Sequence, residues 1–517
     1  MENIKLREFH QARWNEPVIM EMGTPGERGI LIPQAEQAVK AAAGNVVSVL
    51  GSIKRKHQPA LPEVNQALVN RHYIRLSQEN LGADNALGIS QGTCTLKYSP
   101  KVQEHMVRHP GLAGVHPLQA EESMQGILKM YYETEQIMKE IGGMDRISFL
   151  PASGGHAIYS NAQIISAYHK ANGNTHKNEI ITTLHSHPVD AAATAILGYR
   201  VITLLPDEKT GLPCLEEFKA ALSDKTAGIF ITNPEDTGIY NSQIDQFTQA
   251  AHDVGAICAY DQANANALLG IARAREAGFD LMHFNLHKSF SSPHGGGGPG
   301  CGALGCAAEL APFLPKPTVE FDGSKYWLDY DRDQSIGHVK AYLGNFPVVA
   351  RAYMWCMSLG AEGLKQVAIT SVLNNQYMTQ EILEKVPGVS LHYAEEGVRR
   401  MEQTRLSFDK LAEQTGGLGV DAVNARIVDY GISELWQSHH PYTVPEPFTP
   451  EPCDSYNKDD MDYFVQVLKA VATDCIEHPE VVATAPNKAS RHLPNHVMGE
   501  DFKVIATTWR QYTRRFR

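Results

Sequence analysis

The chain has 517 residues, 43% hydrophobic and 20% charged, the balance of a globular protein with a substantial core. Lys and Arg number 46 against 58 Asp and Glu, leaving a formal charge of −12 with no long basic run, which argues against nucleic-acid binding by bulk electrostatics. No stretch approaches the roughly 18 uninterrupted apolar residues of a membrane helix.

The opening, MENIKLREFHQARW, lacks the apolar core of a secretory signal and carries acidic residues unlike a transit peptide. Residues 1–130 are rich in loops and prolines with helical patches, which predicts an N-terminal arm wrapping a larger body. Over 131–345 short apolar runs alternate with helical patterns. The candidate strands are RISFLPA (146–152), NEIITTL (178–184), YRVITLLP (199–206), TAGIFITNP (226–234), GAICAYD (255–261) and DLMHFNLH (280–287). LEEFKAALS and QIDQFTQAAHDVG lie between them with apolar residues at helical spacing. Such alternation reads as an α/β domain with a mainly parallel sheet covered by helices. Over 346–517 helices mix with short strands (GVSLHYA, QTRLSF) and a proline-rich PYTVPEPFTPEP, which predicts a smaller α+β C-terminal domain. Eight scattered cysteines without CxxC spacing point to reduced thiols in a cytoplasmic protein with no metal site.

Ligands of open α/β sheets bind beyond the carboxyl ends of the strands. The first candidate strand runs into PASGGHAIYSNAQ, where Ser153, Gly154 and Gly155 open a helix. That is either a plain turn or an anion site made by first-turn N–H groups. Asp261 ends the fifth strand and is either a cap or a functional carboxylate. Lys288 follows the sixth in NLHKSFSSPHGGGG, as either a surface charge or a functional amine. Together, a phosphate cradle, a strand-end carboxylate and a strand-end amine are what pyridoxal 5'-phosphate requires. Lysine forms the Schiff base, the carboxylate keeps the pyridine nitrogen protonated, and the helix N-terminus holds the phosphate.

NLHKSFSSPHGGGGPGCGALG resembles the signature of the glycine cleavage system P-protein family (glycine dehydrogenase, decarboxylating), in its subunit 2 form. LPEVNQALVNRHYIRLSQENLG, GTCTLKYSPKV, HPLQAEESMQG, IFITNP, AYDQANANALLG and LAPFLPKP extend the resemblance over nearly the whole chain. It implies a fold-type I pyridoxal phosphate-dependent transferase with a seven-stranded sheet. Lys288 is then the Schiff-base lysine and Asp261 the partner of the pyridine nitrogen. Ala263 packs on one ring face. His156 either stacks on the other or is an ordinary hydrogen-bonding residue. Ser153, Gly154 and Gly155 meet the phosphate, while Thr232 and Asn233 hydrogen-bond the ring oxygen or merely end a strand. His287 and His294 are candidates to handle protons, with simple packing the alternative for His287. Gly295 to Gly298 suit a closing loop or a surface loop.

The implied reaction is decarboxylation of glycine followed by transfer of the aminomethyl group to the lipoyl arm of H-protein. Several segments depart from the family pattern. PLGSCTMKYNP is here ISQGTCTLKYSP, AHGTNPAS is LHSHPVDA, GAHGE is GGHAI, and the HEF word becomes Glu402-Gln403-Thr404 followed by Arg405. Arg405 is therefore a candidate clamp for a substrate carboxylate, with an exposed edge arginine as the alternative. Lys97 competes for that role, and Thr95, His185 and His294 join it as substrate candidates. NKASRHLPNHVMGEDF near the end is placed to fold over the site. Three readings stand, with a homodimer or heterotetramer expected: a subunit 2 working with subunit 1 and lipoylated H-protein; a decarboxylase or lyase for another amino acid without H-protein, as a self-sufficient homodimer; and a non-catalytic assembly subunit, against which Lys288 and Asp261 argue.

Overall fold

The structure, a computed structural model, describes residues 4–57, 59–82, 84–92, 97–293, 298–490 and 508–516. Its centre is a seven-stranded sheet of β1 (Arg146–Ser148), β2 (Glu179–Thr183), β3 (Arg200–Leu204), β4 (Thr226–Thr232), β5 (Ile257–Gln262), β6 (Leu281–Asn285) and β7 (Gly302–Cys306), in the order β1-β7-β6-β5-β4-β2-β3. Strands β2 to β6 are parallel to their neighbours within that set, and β7 runs antiparallel between β6 and β1.

The apolar runs account for six of the strands. The seventh, GALGC, lacks the β-branched signal because its neighbours approach too closely for side chains. A Cβ on Gly302 would lie 2.6 Å from the Ser153 carbonyl oxygen, and one on Gly305 would lie 2.9 Å from Met282 Sδ.

Both faces of the sheet are covered, which is why its strands read as continuous apolar runs. Alternation sorts them: Cys258 and Tyr260 of β5 and Met282 and Phe284 of β6 enter one core, whereas Ile257, Ala259 and Leu281 enter the other. The first core packs on α1 (Gln125–Gly142), where Leu128, Tyr131 and Met138 face inward. The second packs on α2 (Gly154–Ala171), through Ile158, Ile164 and Ile165, with α3 (Pro188–Ile196) beside it.

The long α4 (Phe346–Lys385), broken at Gly360 where φ is 63, leads out of the first core. Its Met378 and Ile382 join Leu406, Phe408, Phe448, Phe464 and Leu468 in a third core built on α5 (Lys458–Glu477). Here Leu406–Ser407 pairs with Pro447–Phe448. The strand expected at GVSLHYA is reduced to one bridge, Ser390 with Ser407, because a two-residue strand offers little edge to extend.

The N-terminal segment holds short helices, and its apolar side chains are largely uncovered: Leu31 is 84%, Val49 85% and Ile53 81% exposed. Among the described residues, no helix is long and apolar enough to cross a membrane.

Candidate active site

Register places three polar side chains in a row where β4, β5 and β6 end. Thr232 pairs with Asp261, and Asp261 pairs with His283. Paired residues of parallel strands point to one face, and the alternation above makes it the face covered by α2. Asp261 is buried; its Oδ1 accepts the Ala263 N–H at 2.8 Å and lies 3.4 Å from His283 Nε2. His283 is fully buried, neither of its ring nitrogens makes a hydrogen bond among the described residues, and burial holds its pKa below the usual value despite Asp261. Thr232 Oγ1 accepts the His187 N–H at 3.3 Å and sits 3.5 Å from Asp190 Oδ2. Burial, and then the charge of Asp261, push the Asp190 carboxyl well above the carboxylate range.

These residues open onto a cavity of about 400 Å³ whose walls include Ser153, Gly154, Gly155, His187, Thr232, Asp261, Ala263, His287 and Lys288. Lys288 stands on the turn after β6, its N–H bonded to the Asn285 carbonyl at 2.9 Å. Ser289 Oγ pins that turn by accepting the Ala265 N–H at 2.8 Å. Among the described residues, no ion pair holds Lys288 Nζ. His287 Nδ1 accepts the Cys301 N–H at 3.1 Å, which ties the turn to β7. On the opposite wall Ser153 caps α2 by accepting the His156 N–H at 3.1 Å.

The remaining expected residues fall elsewhere. His156 does not line the cavity: its Nδ1 accepts the Ala152 N–H at 3.1 Å, and burial lowers its pKa. The imidazoles on the wall include His187, the cap of α3, which burial pushes down to about 4 and so leaves neutral. Its signal was the second histidine of LHSHPVDA. Asn233 turns away, exchanging hydrogen bonds with the Asn241 backbone at 2.9 and 3.1 Å. His185 is buried between the Gly211 carbonyl at 3.0 Å and Thr443 Oγ1 at 2.9 Å, with Glu235 at 3.4 Å. Lys97 is paired with Asp454 and lies over the Trp355 ring at 5.0 Å. Thr95 and His294 lie outside the described residues, as do residues 491–502 of the expected covering segment.

Arg405 is neither an exposed edge residue nor a cavity wall. It is buried, with Nη2 2.8 Å from Asp236 Oδ2 and Nε 3.2 Å from Thr449 Oγ1. The same Asp236 oxygen lies 2.9 Å from His439 Nδ1, and the other takes the Gln91 side-chain amide. Burial opposes ionisation of Asp236, yet the Arg405 charge and the His439 hydrogen bond together hold its carboxyl well below the usual range. His439 reaches the cavity with its ring 4.6 Å from that of His187. Beside them Glu402 and Glu451 form a buried acidic pair bridged by Asn264, whose Nδ2 lies 3.3 Å from Glu402 Oε1 and 2.8 Å from Glu451 Oε1. Burial and the neighbouring Glu451 push Glu402 up to about 8.

The chain is 38% identical over 510 residues to the probable glycine dehydrogenase (decarboxylating) subunit 2 of Thermococcus kodakarensis, covering 98% of each chain. The proteins of the same description from Pyrococcus horikoshii and Caldanaerobacter subterraneus are each 37% identical, over 98% and 95% of this chain and 98% of their own. The chain belongs to the glycine dehydrogenase (decarboxylating) subunit 2 family. Residues 112–318 match the aminotransferase class-V family. The fold is that of a crystal structure of glycine decarboxylase (P-protein) of the glycine cleavage system in inhibitor-bound form, with a TM-score of 0.70 at 19% identity over 86% of this chain and 100% of that one. This is the fold-type I architecture of pyridoxal phosphate enzymes, and the family depends on that cofactor.

The residues present fit the group. Gly154 and Gly155 line the cavity with first-turn N–H groups that a helix leaves without an internal acceptor. A Cβ on Gly154 would lie 2.6 Å from Asn285 Nδ2, so the cradle demands glycine there. An amine, a buried carboxylate and a neutral imidazole share the same cavity with that cradle.

Proposed function

We propose that this chain decarboxylates glycine on pyridoxal phosphate, as the catalytic subunit of a two-subunit P-protein that hands the remaining aminomethyl group to lipoylated H-protein. What carries the reading is the coincidence of full-length identity to proteins named for that reaction with a cavity walled by both Lys288 and Asp261. In this reading Lys288 would anchor the cofactor, Gly154 and Gly155 with Ser153 would receive its phosphate, and Ala263 and His187 would hold its ring. Asp261, a buried carboxylate, retains the proton on the ring nitrogen. Bound there, pyridoxal phosphate supplies the electron sink into which the bond to the departing carboxyl group breaks. His187, neutral at physiological pH, adds no charge against the ring, and His287, oriented by the Cys301 N–H, is positioned to move protons.

The exposed Leu31, Val49 and Ile53 of the arm support an assembly with subunit 1 or a second copy, as a heterotetramer or homodimer in the cytoplasm. Exchange of labelled bicarbonate into the glycine carboxyl group tests the reading, with H-protein and subunit 1 added singly and together. Exchange that requires them is the expected result. A second reading, a decarboxylase or lyase for another amino acid, draws on the family-divergent residues that wall the cavity, His187, Glu402 and Gln403. Absence of exchange in every combination, with a spectral response to a different amino acid, would select it.

A further inference from the structure

The substrate side of the cavity carries an unusual charge arrangement. Among the described residues, the guanidinium beside this side, Arg405, is committed to Asp236 and does not line the cavity. The wall instead presents Glu402, which is 2% exposed. Its Oε1 lies 3.3 Å from Asn264 Nδ2, and its Oε2 is buried without a partner among the described residues. Its neighbour Glu451 is already supplied with donors: Asn264 Nδ2 at 2.8 Å, Asn266 Nδ2 at 3.3 Å and the Gly92 N–H at 3.2 Å.

Two carboxyl groups so placed cannot both ionise cheaply. The one with the donors keeps the charge, and the other keeps the proton. Glu402 is thus an O–H donor whose direction is set by Asn264 and whose partner must come from the cavity. We propose that Glu402, in its protonated form, is the residue that positions the α-carboxylate of the amino acid substrate, by donating a hydrogen bond to it. The proposal rests on the amino acid decarboxylase reading above.

A neutral donor suits the reaction better than a guanidinium would. Negative charge leaves the carboxylate as carbon dioxide forms, so an ion pair there would stabilise the starting state more than the transition state. A single hydrogen bond orients the group and lets it go. The titratable groups around Glu402 are Glu451 from the segment after β-strand Pro447–Phe448, Tyr260 on β5 and, along the same cavity wall, His187, Glu235, Asp236, Asp261, His283, His287, Lys288, Glu434 and His439. Burial and Glu451 set the upward shift of Glu402 to about 8, so the donor is present below that pH and becomes a repelling carboxylate above it.

The test uses the cofactor-loaded protein and two probes, glycine and methylamine, which share an amine and differ in the carboxylate. Dissociation constants are read from the absorbance change of the cofactor, across pH. Glu402→Ala is expected to weaken glycine about tenfold or more and to leave methylamine unchanged. Glu402→Gln, which keeps an N–H donor, should bind glycine near the wild-type value and lose the relative weakening of glycine above pH 8. Infrared difference spectra of the cofactor-free protein should show a protonated-carboxyl band at neutral pH that disappears in Glu402→Gln. Equal weakening of both probes in Glu402→Ala, or no such band, would overturn the proposal. So would a wild-type preference for ethylenediamine over methylamine that Glu402→Gln abolishes, since the pair would then recognise a cation. If wild-type protein refuses glycine, the glycine reading fails by itself, and alanine with ethylamine serves as the probe pair for the same comparison.

Discussion

Arg405 and Asp236 give the sharpest energetic test of how the substrate side is organised. Asp236→Asn removes the charge that faces a buried guanidinium. Arg405 makes contacts of 2.8 and 2.9 Å to the Asp236 side chain and carbonyl, and its other side-chain partners among the described residues are neutral, Thr449 at 3.2 Å and Gln91 at 3.4 Å. Removing one member of such a buried pair costs about 3–5 kcal/mol, because the survivor is left charged and desolvated. Arg405→Met should cost a similar amount in the wild-type protein and much less in the Asp236→Asn background, a coupling of about 2 kcal/mol or more.

The assay is urea unfolding of the four proteins of the cycle at neutral pH and in acid. Asp236 titrates in the folded state well below its ordinary value, so its contribution is present above the unfolded carboxyl pKa and is lost as pH falls through the folded one. Both Asp236→Asn and the double variant should therefore show a flatter acid limb. Equal costs of Arg405→Met in the two backgrounds would refute the coupling. A steep rise in the glycine KM of Arg405→Met with no loss of stability would restore the carboxylate clamp to Arg405.

Two further outcomes follow from the cavity walls. His187→Ala should weaken retention of pyridoxal phosphate roughly three- to tenfold by equilibrium dialysis, the worth of one ring contact, while His156→Ala leaves the constant unchanged; the reverse order would return stacking to His156. Borohydride reduction of the loaded protein should fix the cofactor to the peptide containing Lys288, and Lys288→Ala should incorporate none; label on any other lysine would displace Lys288 as the anchor.

Much of the site was legible before any coordinates. Lys288, Asp261, Ala263 and the Ser153-Gly154-Gly155 turn all stand at strand ends or a helix start, and all wall one cavity. The residues that misled did so for one reason: local words name a residue type but not its direction. His156 lies one residue past the cradle, yet the geometry of an N-terminal helical turn sends its ring to the Ala152 N–H. His185 and His187 are two apart in the same word, and only the one capping α3 reaches the wall. His283 carried a usable signal, since alternation along LMHFN puts it on the face of Asn285 and, through register, beside Asp261.

By itself the sequence determined the alternating strands and helices, because apolar periodicity is a local property set by which faces must be buried. It also pointed to the cofactor chemistry, because an amine, a carboxylate and a small-residue helix start, each at or just past a strand end, have few other joint uses. Only the tertiary structure decided the substrate side. Glu402 and Glu451 are far apart in the chain, as are Arg405 and Asp236, and their protonation and pairing arise from burial and proximity that exist only once the third core closes over the sheet. An arginine that looked like a substrate clamp became the fixed partner of a buried aspartate, and a glutamate that looked like a family departure became a buried carboxyl on the wall that burial and Glu451 push upward.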